Sequence, residues 1–256
     1  MPQPAYAKKT AAATGQPELD PTALNALFEA LKVYDQGSSR AALLPIDEAV
    51  VRSLDDPAAR RNLEQRLVSV LSQGGSTAAR EFVCSKLTLI GSESAVPPLA
   101  ALLDAPETAT AARNALEAIP GRKATMALRD RLLNVEGLQK IGVISSLGAR
   151  RDAESVRVLT RLLQGADTGI AVAAAAALGD IATSRAARAL RDFQPRASET
   201  LRLRVADALL NCAERMLAGR KRADAVKQYQ LLATPAQPKH VQLAATRGLE
   251  LAAGRK

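Results

Sequence analysis

Residues 170–193 read IAVAAAAALGDIATSRAARALRDF, and this stretch decides the fold. Ala and Leu, which are strong helix formers, fill half of its positions. Leu178 follows Ala174 by four residues and precedes Ile181 by three, so the three side chains share one face of a helix. A second segment then runs to Phe193. The stretch therefore predicts two helices, of which the Ala-rich first one packs closely against neighbours.

The same pattern recurs along the chain as two interleaved series of apolar residues. The first series advances by 29, 31, 31 and 31 residues, and the second advances by 30 each time. The first consists of Leu87, Leu116, Leu147, Leu178 and Leu209, preceded four residues earlier by Val83, Ala112, Val143, Ala174 and Val205 and followed three residues later by Ile90, Ile119, Arg150, Ile181 and Cys212. The second consists of Leu103, Leu133, Leu163 and Phe193. Arg150 is the one polar residue among these positions.

Two interleaved series predict two helices per repeat, called here the B helix (first series) and the A helix (second series). One such hairpin is too small to close a core, so hairpins have to stack on each other. We therefore predict an all-α protein, an α-solenoid of about six or seven antiparallel hairpins with a period near 30 residues. The predicted divisions are a disordered tail over 1–20, the solenoid over 21–213 and a helical hairpin over 214–256.

Composition supports helices and points to acidic partners. Of the 256 residues, 47% are hydrophobic but only 2% are aromatic, which disfavours the aromatic and β-branched strands of sandwiches and barrels. Lys and Arg number 35 against 26 Asp and Glu, for a formal charge of +9. A basic chain of this kind attracts acidic molecules.

The repeat resembles a known family. Residues 170–193, and also REFVCSKLTLIGSESAVPPLAALL over 80–103, are similar to the short HEAT-like repeat that also occurs in phycobilisome lyases. The resemblance covers about 76–213 well and implies a right-handed superhelix with A helices on the convex side and B helices on the concave side. It implies no activity, because such repeats serve many functions. LAGRKRADAVKQYQLLATPAQP over 217–238 departs from the pattern and resembles part of a tetratricopeptide repeat.

The residues required for the common kinds of catalysis are not found in the sequence. His240 is the single histidine and is expected in a loop over 235–240, so a two-histidine metal site, such as that of the HEAT-repeat enzyme deoxyhypusine hydroxylase, cannot form. Phosphate-binding glycine motifs are missing as well. Asp55 and Asp56 are expected to cap a helix, and Cys84 and Cys212 to be small core residues. We predict no enzyme activity, cofactor, metal or small-molecule ligand.

Two surfaces are candidate partner sites. The first is a basic stripe on the A helices at Arg131, Arg161 and Arg191, two residues before the A series, flanked by Arg129, Arg157 and Arg188. The second is the concave side of the B helices, with Glu81, Ser85, Thr110, Asn114, Ser145 and Asp207. Ordinary solvated surface is the alternative for both.

The functional prediction is a non-catalytic scaffold that binds a protein partner, either an acidic one or an extended peptide. The alternative is binding of duplex nucleic acid through its phosphates at the Arg stripe. No stretch has the 18 uncharged apolar residues of a membrane span, so a soluble protein is expected. The expected compartment is the cytoplasm if the chain is complete, and outside it if an upstream signal peptide has been removed.

Overall fold

The computed structural model describes residues 21–254, and these residues form α-helices joined by short turns. The predicted tail over 1–20 lies outside the described residues. The helices are α1 (Pro21–Lys32), α2 (Leu44–Ser53), α3 (Pro57–Ser72), α4 (Thr77–Ile90), α5 (Val96–Leu102), α6 (Pro106–Ala118), α7 (Arg122–Leu132), α8 (Gly137–Ala149), α9 (Val156–Leu163), α10 (Thr168–Ile181), α11 (Ser184–Phe193), α12 (Glu199–Ala218), α13 (Arg222–Leu232) and α14 (Lys239–Ala252).

The fourteen helices form two layers of stacked hairpins. Even-numbered helices pack on one another in sequence from α2 to α14, and this is the B layer. Odd-numbered helices form the A layer, in which α1 packs on α3, α3 on α5, α5 on α7 and α9 on α11. The result is seven antiparallel hairpins, which confirms the predicted all-α solenoid of HEAT-like type. The described part of the chain contains no strand.

The B series forms the continuous core of the stack. All five leucines of that series are buried, and so are the residues four positions before them. Three positions after them, Ile90, Ile119, Ile181 and Cys212 are buried too. The spacing of four and three residues therefore identified the buried stripe of every central B helix.

Two glycines next to this stripe bring neighbouring B helices into backbone contact. A Cβ on Gly148 of α8 would lie 2.8 Å from the Cα of Ala177 in α10. A Cβ on Gly179 of α10 would lie 2.6 Å from the carbonyl oxygen of Ala208 in α12. Each glycine faces an alanine of the next B helix, so both sides of the contact are small. This is the close packing that the Ala-rich stretch predicted.

Arg150, the polar member of the B series, binds the end of the preceding B helix. Its guanidinium donates hydrogen bonds of 2.6 to 2.8 Å to the carbonyl oxygens of Leu116, Glu117, Ile119 and Gly121. Its Nε donates to Thr125 Oγ1 at 2.8 Å. The last carbonyls of a helix have no partner within the helix, and here a side chain of the next repeat supplies one. Burial lowers the pKa of Arg150, but a guanidinium remains charged in proteins.

The A series is less regular, and one of its predicted members is wrong. Leu133 is 72% exposed, and Leu132 is buried in its place. The buried residues of α7 are Ala124, Leu128 and Leu132, spaced by four and four. In α9 the buried residues are spaced by three and four, so the two helices are turned differently about their axes. The A series keeps its 30-residue spacing in the sequence, but the buried face of α7 is shifted by one residue from the predicted position.

Several local expectations are settled by the structure. Asp56 caps α3, since its Oδ1 accepts hydrogen bonds from the amides of Ala58 and Ala59. His240 is not in a loop: it lies in the first turn of α14. The predicted division after residue 213 stays a prediction, and α12 runs through that point. Within residues 21–254, no helix combines the length and apolar composition that crossing a bilayer requires.

Candidate functional site

Three of the six arginines of the predicted stripe are already held by other residues of the chain. Arg131 forms an ion pair with Asp104 and is only 16% exposed. Arg129 pairs with Glu154 and also with Asp152, where Nε and Oδ2 are 3.3 Å apart. The charges of Arg131 and Arg129 are therefore largely neutralised.

The shifted face of α7 explains the position of Arg131. Because Leu132 and not Leu133 is buried, Arg131 stands next to the core residue and turns toward the repeat before it, where Asp104 lies. Arg191 also adjoins a buried residue, Leu190, but it contacts the repeat that follows it. Its Nη1 donates to Gln228 Oε1 of α13 at 3.0 Å. These two arginines connect repeats.

The other three arginines of the stripe are exposed and free of internal partners. Arg157 and Arg161 stand one turn apart on α9, and Arg188 lies on α11. None of them has an ion-pair partner within 4.0 Å among the described residues. Three further cations that the sequence analysis missed share this property, and the six together define the C-terminal basic surface: Arg157, Arg161, Arg185, Arg188, Arg222 and Lys227.

The three helices that carry this surface are neighbours in the A layer. Helix α9 packs on α11. Helix α11 is joined to α13 by the Arg191–Gln228 hydrogen bond and by Ser184, whose hydroxyl donates to Asp224 at 3.3 Å. Stacked helices lie about 8 to 10 Å apart, so the six cations are distributed over three adjacent helices. The same helices carry two carboxylates, the exposed Asp192 and the half-buried Asp224.

The charge of residues 21–254 is divided unevenly between the two halves of the solenoid. Residues 21–120 contain 9 Lys and Arg against 12 Asp and Glu. Residues 121–254 contain 22 against 12. The excess of positive charge therefore belongs to the second half of the solenoid, where the C-terminal basic surface lies.

The exposed cations of α7, unlike those of the C-terminal basic surface, are neutralised by carboxylates. Arg122 and Glu154 approach to 3.4 Å, as do Lys123 and Glu93. The hydrogen bond and charge of Arg129, together with the charge of Arg122, hold the pKa of Glu154 below its usual value. None of the six cations on α9, α11 and α13 forms an ion pair of this kind within residues 21–254.

The second predicted surface, on the B helices, is mostly polar, and one of its residues, Thr110, lines a small cavity of about 120 Å³ between α6 and α8. Ser85, Thr110, Asn114 and Ser145 are exposed, while Glu81 and Asp207 are half-buried. The hydroxyls of Ser85 and Ser145 donate to carbonyls of their own helices. Asp207 Oδ1 lies 3.0 Å from His240 Nε2. The structure places these residues on successive B helices, and their role in binding stays a prediction.

The buried thiols occupy core positions. Burial raises the pKa of Cys84 to about 12 and that of Cys212 to about 11, so both remain protonated near neutral pH. In residues 21–254, no three His, Cys, Asp or Glu side chains are grouped so that they could hold a metal ion.

Comparison with known proteins yields fold similarities at low identity. No family model and no curated protein match the chain. An engineered protein of known structure is 20% identical, with a TM-score of 0.42 over 82% of this chain and 97% of that one. The complex of CpcE and CpcF of phycocyanin lyase from Nostoc sp. PCC7120 is 19% identical, with a TM-score of 0.44 over 94% and 97%. Human deoxyhypusine hydroxylase in complex with glycerol is 15% identical, with a TM-score of 0.37 over 91% and 97%. The fold assignment rests on the helix packing of the chain itself.

Proposed function

We propose that this protein is a binding scaffold whose C-terminal basic surface docks an acidic segment of a partner protein. The observation that carries the proposal is the set of six exposed cations on α9, α11 and α13 that have no ion-pair partner within residues 21–254. The cations of α7, by contrast, are paired with carboxylates, so the two parts of the A layer differ in how far their positive charge is neutralised. An unneutralised group of arginines is suited to bidentate capture of carboxylates.

The rigid solenoid supports a binding role. Its surface is formed by helices packed on both sides, so little conformational entropy is lost when a partner docks. The candidate surfaces lie on the outer faces of these helices and not in an enclosed cavity. A flexible acidic segment can follow such an open surface over several repeats.

Nucleic acid is the second candidate for the same surface, since phosphates also bind arginine. Proteins that bind single strands stack bases on exposed aromatic side chains. Among the described residues, Phe28, Phe82 and Tyr229 are buried, while Tyr34 and Phe193 are half-buried. The basic surface itself carries no aromatic residue. These observations argue against binding of single strands, and the test below distinguishes a duplex from an acidic protein segment.

The test compares two polyanions, a poly-glutamate peptide and a DNA duplex. We expect the full chain to bind the peptide, and the DNA to bind more weakly at the same salt concentration when both are measured by titration calorimetry. Tighter binding of the duplex would support the nucleic-acid alternative. Absence of binding to either probe would contradict a docking role for this surface.

A further inference from the structure

The last two B helices enclose a groove that the basic surface does not use. Its volume is about 690 Å³, and it lies between α12 and α14 with Tyr229 of α13 at its floor. The Tyr229 ring packs against Gly248, where a Cβ would lie 2.4 Å from the ring. The rest of the lining consists of Glu214, Leu217, Ala218, Leu243, Ala244, Arg247 and Leu251.

The walls of this groove are apolar and open to solvent. Leu243 is 63% exposed and Leu251 is 57% exposed, although both belong to a helix with a buried face. Tyr229 is 2% exposed, and burial together with the carboxylate of Glu214 raises its pKa to about 12. The groove therefore offers several leucines and alanines to a second molecule.

One carboxylate and one guanidinium line the groove at the same height, on α12 and α14 respectively. Asp207 and His240 connect α12 to α14 with a distance of 3.0 Å. Glu214 and Arg247 each follow one of these residues by seven positions on the same helix. Since α12 and α14 are parallel and rise equally per residue, Glu214 and Arg247 are level with each other. Neither has an ion-pair partner within 4.0 Å in the described part of the chain.

We propose that the occupant of this groove is a second copy of the same chain, related by a two-fold axis parallel to α12 and α14. Such an axis places α14 of one copy over α12 of the other, running in the same direction. Glu214 of each copy then meets Arg247 of the other, because the two residues are level. The exposed Leu243 and Leu251 of each copy are then covered by α12 of the other copy.

The surface is suited to a copy of itself because it is its own complement. In a two-fold interface, if one residue contacts a second residue of the other copy, the second residue also contacts the first one of that copy. Opposite charges therefore have to occur in matched pairs within one patch. Glu214 and Arg247 form one such pair, and the leucines beside them supply the apolar area. None of these residues belongs to the C-terminal basic surface, so the dimer and the proposed docking role can fail independently.

Charge reversal tests the proposal directly. In Glu214→Arg, both positions of the pair are cationic, and in Arg247→Glu both are anionic. We expect the unaltered chain to show twice the mass of one chain in concentrated solution by sedimentation equilibrium and to dissociate on dilution. Each single variant should remain monomeric, whereas an equimolar mixture of the two should recover the doubled mass.

The leucines provide the second arm of the test. Leu243→Glu should abolish the dimer. Leu203→Glu, at an exposed position of α12 outside the groove, is the matched control and should keep it. Circular dichroism of each variant establishes that the helices are intact. A monomeric unaltered chain at every concentration, or a mixture of the two charge variants that stays monomeric, would overturn the proposal.

Discussion

Arg150 joins two repeats through a single guanidinium, which satisfies four carbonyl oxygens at the end of α6 and its following turn. Replacing it with Met keeps much of the side-chain volume and removes the donors. Because carbonyls near the buried Ile119 then lack a partner, we expect the free energy of unfolding to fall by about 3 kcal/mol. Urea denaturation measures this loss.

Arg157→Met is the matched control, since Arg157 is exposed and contacts no carbonyl of another repeat. Its free energy of unfolding should change by less than about 0.5 kcal/mol. Arg150→Lys should restore part of the loss only, because one ammonium cannot reach four separated acceptors. Equal effects in Arg150→Met and Arg157→Met would show that the hydrogen bonds do not contribute to stability.

The two buried thiols predict how stability depends on alkaline pH. Their pKa values rise from 9.0 in the unfolded chain to about 12 and about 11 in the folded one. Above pH 9 the unfolded chain therefore releases thiol protons that the folded chain keeps, which favours unfolding. Stability is fully present below pH 9 and falls as the pH rises toward 11, by at most about 1.4 kcal/mol per pH unit for each thiol.

Urea denaturation on both sides of pH 9 checks this dependence. A Cys84→Ala, Cys212→Ala double variant is the comparison, because other groups titrate in both proteins. The double variant should lose less stability between pH 9 and pH 11 than the unaltered chain does. Parallel curves for the two proteins would mean that the thiols are not the source.

At the scale of helices, Gly148 and Gly179 set the distance between central B helices. Alanine is the better helix former by about 1 kcal/mol, so propensity alone predicts stabilisation by Gly→Ala. Here a new Cβ meets backbone atoms of the next helix at 2.6 to 2.8 Å, and the helices have to move apart. We expect Gly148→Ala and Gly179→Ala each to lower the free energy of unfolding by about 1 to 2 kcal/mol.

Gly169→Ala in the first turn of α10 is the control, because the atoms near its Cβ lie at 3.3 Å or more. That variant should be neutral or slightly more stable by thermal unfolding. If all three variants are stabilised alike, the B helices are not in the close contact described above.

The B helices could be predicted almost completely from the sequence, and the A helices could not. Each central B helix packs on two other B helices and on A helices, so its apolar positions are fixed at every turn. An A helix such as α7 buries a narrower stripe of side chains. Moving the predicted stripe by one residue leaves the number of apolar residues in it unchanged. The exposed Leu133 and the half-buried Arg131 are the consequence.

At the scale of the whole molecule, the basic excess is concentrated in residues 121–254, where 22 Lys and Arg outnumber 12 Asp and Glu. The repeat spacing located Arg157, Arg161 and Arg188 correctly on the exposed side. It missed Arg222 and Lys227, because the long helix α12 displaces α13 from the 30-residue register. The pairing of Arg131 with Asp104 could not be predicted from the sequence either, because Asp104 lies in a turn that no helical pattern describes.

The central claim, that the C-terminal basic surface docks an acidic protein segment, is tested most directly by removing three of its charges. The test variant carries Arg157→Gln, Arg161→Gln and Arg188→Gln. The control carries Arg52→Gln, Arg61→Gln and Arg204→Gln, three exposed arginines elsewhere, so the net charge of the two proteins is the same. The measurement is the affinity for a poly-glutamate peptide at several salt concentrations.

We expect the test variant to bind at least about tenfold more weakly, which corresponds to about 1.4 kcal/mol, and with a smaller dependence on salt. The control should bind nearly as the unaltered chain does, and the melting temperatures of all three proteins should agree closely. Equal affinity and equal salt dependence in test variant and control would show that peptide binding follows net charge alone, and would contradict the assignment of the docking site to α9, α11 and α13.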